Sequence, residues 1–156
     1  MIFDNDEWSY VPDQRKFKTD FIKHHGCSLA GFFIGLGFKG HHTTMLKLYA
    51  WAKRNLKHYR YSKFTIKGVS VGINKWCKGE PATYHRSITY GDILKALKKG
   101  HLVLLETGNP IHTNVLYMSN GKTYHLDHGG VKKVTLSNLT KNATLNDRYR
   151  GWADIK

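Results

Sequence analysis

The fold of this chain is decided by residues 26–38, which read GCSLAGFFIGLGF. After its first two residues the stretch is apolar on every side, a pattern that predicts a short helix buried at the centre of the molecule. Gly31 and Gly35 would let another element pack closely against the helix backbone. The run is far too short to cross a bilayer. We therefore predict a central helix over residues 28–38, with Cys27 immediately before it.

Helical patterns continue on the C-terminal side of this stretch. Residues 45–55 predict a helix with Thr43 or Thr44 as its cap. Its expected inner face consists of three apolar residues: Met45, Leu48 and Ala52. The clearest helix covers residues 89–99, which end in lysines and are followed by Gly100 as a stop. Weaker patterns predict two smaller elements: a strand over residues 63–67 and a helix from Ser70 to Trp76.

From residue 101 onward the pattern changes to strands separated by turns. Asn120-Gly121 is a strong signal for a two-residue hairpin turn. Helices first and antiparallel strands after them predict an α+β fold in a single domain, residues 1–156, with an irregular segment over residues 1–20. The predicted strands cover residues 101–107, 113–119, 122–127, 131–136 and 151–155.

Charge is the unusual feature of the composition. Among 156 residues, 25 are Lys or Arg and 11 are Asp or Glu, which gives a net charge of +14. Residues 21–79 contain eleven Lys or Arg and no acidic residue. Such a surface attracts polyanions, so an anionic polymer (nucleic acid, anionic lipid or an anionic cell wall) is an expected partner of this segment. Charge alone does not choose among them.

The N-terminal residues predict where the chain is made. Residues 1–7 are acidic and lack the basic start and apolar core of a signal peptide. We therefore expect cytoplasmic synthesis without a signal peptide, and no membrane span. The two cysteines, Cys27 and Cys77, are too few for a disulfide scaffold, although one disulfide is possible. We favour Cys77 as a buried, small apolar residue.

Cys27 has the position of an activated nucleophile. A cysteine at the start of a helix meets the positive end of the helix dipole and nearby main-chain N–H groups, which favour the thiolate. Its own N–H can donate to a developing oxyanion. These properties make Cys27 a candidate for nucleophilic catalysis.

The predicted hairpin supplies a partner for this cysteine. A two-residue turn at Asn120-Gly121 places Asn114 opposite Asp127, with His112 as a diagonal neighbour on the same face. His125 lies further along that face. An imidazole beside a carboxylate that orients it is the partner that a thiol nucleophile requires. The face therefore predicts a base and an orienting residue.

The order of these motifs resembles papain-like peptidases related to the double-glycine leader peptidases of bacteriocin exporters. Gly26-Cys27 opens an apolar helix, and a later helix ends before Gly100-His101-Leu102-Val103, which is similar to the family's "Gly-x-x-V" strand. Ile111-His112-Thr113 enters another strand, and Tyr124-His125-Leu126-Asp127 closes the next. The resemblance spans about residues 20–136 and implies a papain-like fold, with N-terminal helices packed on a C-terminal antiparallel sheet.

The same resemblance implies roles for individual residues. Cys27 would be the nucleophile, His112 its base and Asp127 the orienting residue, with Asn114 as the alternative. The family's upstream glutamine, which helps to hold the oxyanion, has one counterpart here: Gln14, thirteen residues before Cys27. This spacing is longer than that of the closest relatives, and Ser28 follows the cysteine where the family has Gly-Pro.

These observations predict a cysteine peptidase or amidase that hydrolyses a peptide-type bond, without a metal or other cofactor. Its substrate would be a processing peptide or a cell-wall peptide. A bacterial or phage enzyme acting at an anionic cell wall fits the charge, as does an intracellular effector. The histidines show no zinc-binding spacing: His125 and His128 would point to opposite faces of a strand.

The alternative is a non-enzymatic, or inactive papain-like, basic domain that binds nucleic acid or another polyanion. In residues 49–64 basic side chains are interleaved with aromatic residues that include Trp51, Tyr59, Tyr61 and Phe64. Such a segment could bind nucleic acid through phosphate contacts and stacking.

Overall fold

The computed structural model describes residues 18, 26–56, 65–108, 111–127, 130–144 and 151–156, without the side chains of Ile111 and Asp127. In this part of the chain five helices pack around a six-stranded antiparallel sheet, which confirms the predicted α+β class. The helices are α1 (Cys27–Phe38), α2 (Met45–Asn55), α3 (Ile66–Cys77), α4 (Tyr90–Lys98) and α5 (Leu136–Thr144). The strands are β1 (Ala82–His85), β2 (Leu102–Gly108), β3 (Ile111–Ser119), β4 (Lys122–Asp127), β5 (Gly130–Lys133) and β6 (Trp152–Ile155).

Helix α1 lies at the centre of the molecule, as its apolar sequence predicts. Leu29, Phe32 and Leu36 are each completely buried. A Cβ atom added to Gly35 would lie 2.8 Å from side-chain atoms of Ile73 and of Ile155. The glycine therefore lets α3 and β6 approach the backbone of α1 closely, which confirms the expected role of the small residues.

Helix α2 has the predicted bounds and inner face. The Thr44 hydroxyl accepts a hydrogen bond from the Lys47 N–H at 3.2 Å, so Thr44 is the cap. The three residues of the predicted inner face are all buried: Met45, Leu48 and Ala52.

The prediction for α3 is wrong in its first half. The helix begins at Ile66, because the Thr65 hydroxyl caps it by accepting from the Gly68 N–H at 3.0 Å. Ser70, the predicted cap, lies inside the helix and donates to the Ile66 carbonyl. Residues 66 and 67 are therefore helical where a strand was predicted, while residues 63–64 lie outside the described part.

The sheet has the strand order β1-β6-β2-β3-β4-β5. Ser119 pairs with Lys122, and this register continues to Val115 and Leu126. Asn120 and Gly121 have positive φ angles of 49° and 72°, as a tight hairpin turn requires. The predicted hairpin and its register are therefore confirmed.

The two faces of the sheet carry different helices. One face packs against α1, α2 and α3 through side chains such as Leu104 and Val115. The other packs against α4 and α5 through Val103, Leu105 and Trp152. Neighbouring strand residues point to opposite faces, so the continuous apolar run of β2 serves both cores.

Besides α3, three elements differ from the sequence prediction. The strand predicted over residues 131–136 ends at Lys133, and Leu136 instead begins α5, whose inner side buries Leu136, Thr140 and Ala143. Strand β1 was not predicted.

Within the described residues, no helix is long and apolar enough to cross a membrane.

Candidate active site at the start of helix α1

Cys27 is the first residue of α1 and is half-buried. The Ala30 N–H donates to the Gly26 carbonyl at 2.8 Å, which closes the first helical turn around the cysteine. The thiol thus lies at the positive end of the helix dipole, the position that the sequence predicts.

The sulfur of Cys27 meets two consecutive residues of β3. The His112 ring donates a hydrogen bond to it, and Thr113 donates two more, one from its main-chain N–H and one from its hydroxyl. Burial by itself raises the pKa of the Cys27 thiol. These hydrogen bonds and the positive charge of His112 outweigh the effect of burial, and together they hold the pKa of the Cys27 thiol below its ordinary value. The site therefore favours a thiolate beside an imidazolium.

Thr113 is a member of the site that sequence reasoning missed. It is 4 % exposed, and its Oγ1 lies 3.0 Å from the Oγ of Ser28, which is equally enclosed. Because the Thr113 hydroxyl donates to the sulfur, the Ser28 hydroxyl can act as its donor in turn. Ser28 thus takes part in a short chain of hydroxyl groups that ends at Cys27.

Asn114 is buried and supports the strand from which His112 projects. Its side-chain nitrogen lies 3.1 Å from the Leu105 carbonyl, 3.0 Å from Thr107 Oγ1 and 3.2 Å from the His112 carbonyl. Among the described residues, none of its hydrogen bonds goes to the His112 ring. Asn114 thus positions the main chain of His112.

His125 is the aromatic neighbour of His112. The two ring centroids are 5.8 Å apart and the ring planes cross at 78°. His125 pairs with Leu116 in the register of β3 and β4. The contact agrees with the prediction that His112 and His125 share one face of the hairpin.

Two predicted site residues cannot be placed at the level of their side chains. Asp127 ends β4, where its main chain pairs with Gly130, but its side chain is outside the described part of the structure. Gln14 lies in the undescribed residues, as does His128. The roles of Asp127 and Gln14 stay predictions.

Glu106 is a second residue near the site that sequence reasoning missed. It pairs with Thr113 across β2 and β3, and its Oε2 atom is buried. Since paired residues point to the same face of a sheet, Glu106 faces α1 together with Thr113. A carboxylate in the apolar strand LVLLETG was the available signal for it.

Cys77 offers a contrast to Cys27 within the same molecule. Both cysteines are free, so no disulfide joins them. Cys77 is half-buried at the end of α3, and burial raises the pKa of its thiol in spite of the opposing charge of Lys39. Across the described residues, no group of three or more His, Cys, Asp or Glu side chains could hold a metal ion.

The basic segment over residues 21–79 is partly described. Seven of its Lys and Arg side chains are exposed: Lys39, Lys47, Lys53, Arg54, Lys67, Lys75 and Lys78. Trp51 packs against Phe32 and Trp76, with ring centroids 6.1 and 5.0 Å apart. This tryptophan packs against the core, while Tyr59, Tyr61 and Phe64 of the proposed binding segment lie outside the described part.

Comparison with known proteins gives no matching family model and no match among curated proteins. The resemblance to papain-like peptidases therefore stays a prediction, and the site has to be judged by its own geometry.

Proposed function

We propose that the protein is a cysteine-type hydrolase of papain-like fold, a peptidase or amidase, with Cys27 as nucleophile and His112 as its base. One observation carries the proposal: at the start of α1 the Cys27 sulfur accepts hydrogen bonds from the His112 ring and from Thr113, and these contacts lower the pKa of the thiol in spite of burial. Structural cysteines in apolar surroundings show the opposite shift, as Cys77 does. The paired thiolate and imidazolium are the resting state of a thiol nucleophile.

The chemistry follows from these groups. The Cys27 thiolate attacks the carbonyl carbon of a peptide-type bond, and the Cys27 N–H and Gln14 hold the oxyanion that forms. His112 gives its proton to the leaving amine as the tetrahedral intermediate collapses to an acyl-enzyme. His112 then takes a proton from water, which attacks the thioester and releases the acid and the free thiol.

The orientation of the His112 ring is assigned to Asp127. Asp127 closes the strand that follows His112, and the confirmed hairpin register, extended by one pair beyond Val115 and Leu126, would place it opposite Asn114. Asn114 is the alternative, although its hydrogen bonds support the main chain.

The proposed substrate is a processing peptide or a bacterial cell-wall peptide. The net charge of +14 would concentrate the enzyme on an anionic cell wall, which favours a bacterial or phage enzyme acting there after synthesis in a cytoplasm.

The first test is the rate at which iodoacetamide alkylates each cysteine, read by peptide mass spectrometry. At pH 7 we expect Cys27 to react about ten times faster than Cys77 or more, because only Cys27 has a lowered thiol pKa. The Cys27 rate should rise with pH and level off at lower pH than the Cys77 rate. Equal rates, or faster labelling of Cys77, would contradict an activated thiol at position 27.

The second test measures hydrolysis of a peptide library and of cell-wall fragments. Cys27→Ser should lose about a hundredfold or more in turnover while it folds normally, and Cys77→Ser should keep full activity. In the same assay, Asp127→Ala should lower turnover more than Asn114→Ala if Asp127 orients the ring. Undiminished hydrolysis by Cys27→Ser would place the chemistry elsewhere.

A non-enzymatic polyanion-binding domain is the second candidate, favoured by the seven exposed basic side chains of residues 21–79. It predicts salt-dependent binding to nucleic acid or another polyanion that is unchanged in Cys27→Ser, together with a Cys27 that iodoacetamide labels no faster than Cys77.

A further inference from the structure

A cleft of about 570 Å³ lies on the face of the sheet opposite α1. Its walls are the end of β1, the residues that follow it, and the outer side of α4. His101, which precedes β2, and Asp154 of β6 also line it. Neither Cys27, His112 nor Thr113 lines the cleft, so the cleft is distinct from the Cys27 site.

Three permanently charged cations converge on this cleft: Arg86, Lys95 and Lys99. Each side chain is exposed, and within the described residues none of the three forms an ion pair. Lys95 and Lys99 are four residues apart on α4, a spacing at which two like charges repel each other on one helix face. An anion bound between them would relieve this repulsion.

The acidic residues of the cleft are already engaged by neighbouring side chains. Asp154 is 7 % exposed, and its two oxygens accept from His85 Nε2 at 2.6 Å and from His101 Nδ1 at 2.7 Å. The Thr89 hydroxyl donates to Asp92 at 2.5 Å. Neither carboxylate forms an ion pair with Arg86, Lys95 or Lys99 in the described part of the chain.

The frame that holds these groups is rigid. Asp154 joins His85 of the edge strand to His101 at the start of β2. The His85 ring stacks on Trp152, with centroids 4.1 Å apart, and the Trp152 indole donates to the Ser87 carbonyl at 2.9 Å. The chain around Arg86 is thereby fixed relative to the sheet, which prepares the cleft for a ligand before binding.

We propose that this cleft binds a small ligand through a terminal, doubly charged phosphate group. An Arg guanidinium matches phosphate oxygens with two parallel hydrogen bonds, and lysines add point charges beside it. The size of the cleft falls within the range of small-molecule sites, about 300–1,000 Å³. Trp152 is only 3 % exposed, so its indole offers no open surface for stacking a base.

The test is calorimetric titration of the full chain with inorganic pyrophosphate at constant ionic strength. We expect saturable binding to the wild type and a loss of about tenfold or more in affinity for Lys95→Gln/Lys99→Gln. The matched control is Lys78→Gln/Lys98→Gln, which removes the same charge from two exposed lysines outside the cleft lining. It should change the affinity less than twofold.

Further variants separate a site from general charge attraction. Arg86→Gln should weaken binding as the cleft lysines do, and Cys27→Ala should leave it unchanged. Circular dichroism checks that each variant is folded. Equal weakening by the two double variants, or no measurable binding to the wild type, would overturn the proposal.

Dimethyl phosphate, which carries a single charge, tests the form of the phosphate. We expect that dimethyl phosphate, added at the same concentration as pyrophosphate, does not displace bound pyrophosphate. If it competes equally well, the proposal of a terminal phosphate is overturned in favour of a phosphodiester.

Discussion

At the scale of single residues, Thr113 is the group whose effect on Cys27 can be isolated. Thr113→Val removes the hydroxyl that donates to the sulfur and keeps the main-chain N–H and nearly the same volume. Because that hydroxyl bond lowers the thiol pKa, its loss should raise the pKa. The alkylation profile of Cys27 should move to higher pH, and the rate at pH 7 should fall about three- to tenfold, the scale of one lost hydrogen bond.

Thr123→Val is the control for this change, because Thr123 is a buried threonine of β4 and is not a hydrogen-bond partner of Cys27. Thr123→Val should leave the pH dependence of Cys27 alkylation unchanged. An unaltered profile in Thr113→Val would mean that the Thr113 hydroxyl does not contribute to the reactivity of Cys27.

The residues around Cys27 differ in how far the sequence could predict them. The helix start, the hairpin turn and the family resemblance together predicted that Cys27 and His112 lie close to each other, and in the structure the two side chains are in hydrogen-bond contact. Thr113 escaped prediction because alternation along a strand assigns consecutive side chains to opposite faces. The sulfur lies beside the beginning of β3, where it can contact both neighbours, and a sequence pattern does not specify that position.

At the scale of elements, the glycines of α1 provide a matched pair of substitutions. Gly35→Ala places a Cβ atom 2.8 Å from Ile73 and Ile155 atoms, whereas a Cβ at Gly37 meets no atom of the described chain within 4 Å. Both changes improve helix propensity by about 1 kcal/mol. Only Gly35→Ala also forces a buried side chain to move, at a cost of about 1–3 kcal/mol.

Urea unfolding at equilibrium measures this difference. Gly37→Ala should raise the free energy of unfolding. The free energy of unfolding of Gly35→Ala should be about 1–3 kcal/mol lower than that of Gly37→Ala. If the two variants are equally stable, α1 does not depend on close approach at Gly35.

The accuracy of the predicted elements follows the strength of their local signals. Helix α4 combines a residue in cap position, Thr89, with a stop at Gly100, which adopts a φ of +81°, and its bounds were predicted within one residue. Helix α5 was missed because LSNLTKNAT consists largely of weak helix formers. Its helical state depends on packing against the sheet.

At the scale of the whole molecule, the charge of +14 should make stability depend on salt. Like charges spread over the surface repel one another in the compact state, and this repulsion is screened over about 8 Å at physiological ionic strength. We expect the unfolding temperature at pH 7 to rise by a few degrees when NaCl is increased from about 10 to 150 mM. For a chain of this size, a change of about 2–4 °C in unfolding temperature corresponds to a change of about 1 kcal/mol in the free energy of unfolding.

Scanning calorimetry checks this prediction. The variant Lys78→Gln/Lys98→Gln, with two fewer positive charges, should show a smaller rise than the wild type. A fall in unfolding temperature over the same range would indicate that attractive pairs dominate the surface.

The order of the strands in the sheet could not be predicted from the sequence, although the antiparallel character of the sheet was predicted. Periodicity identifies strands and a tight turn fixes their closest neighbour, as in β3 and β4. The placement of β1 at the edge depends on β6, far along the chain, and local patterns carry no information on such a pairing.

The order of the strands has a consequence for synthesis. Strand β6 lies between β1 and β2, so a ribosome delivers the edge strand long before the strand that joins it to the sheet. Until Trp152–Ile155 emerges, a nascent chain exposes the unpaired edge of β2, a template on which another chain could form a strand. During synthesis, the β2 edge is therefore the part of the sheet most open to pairing with another chain.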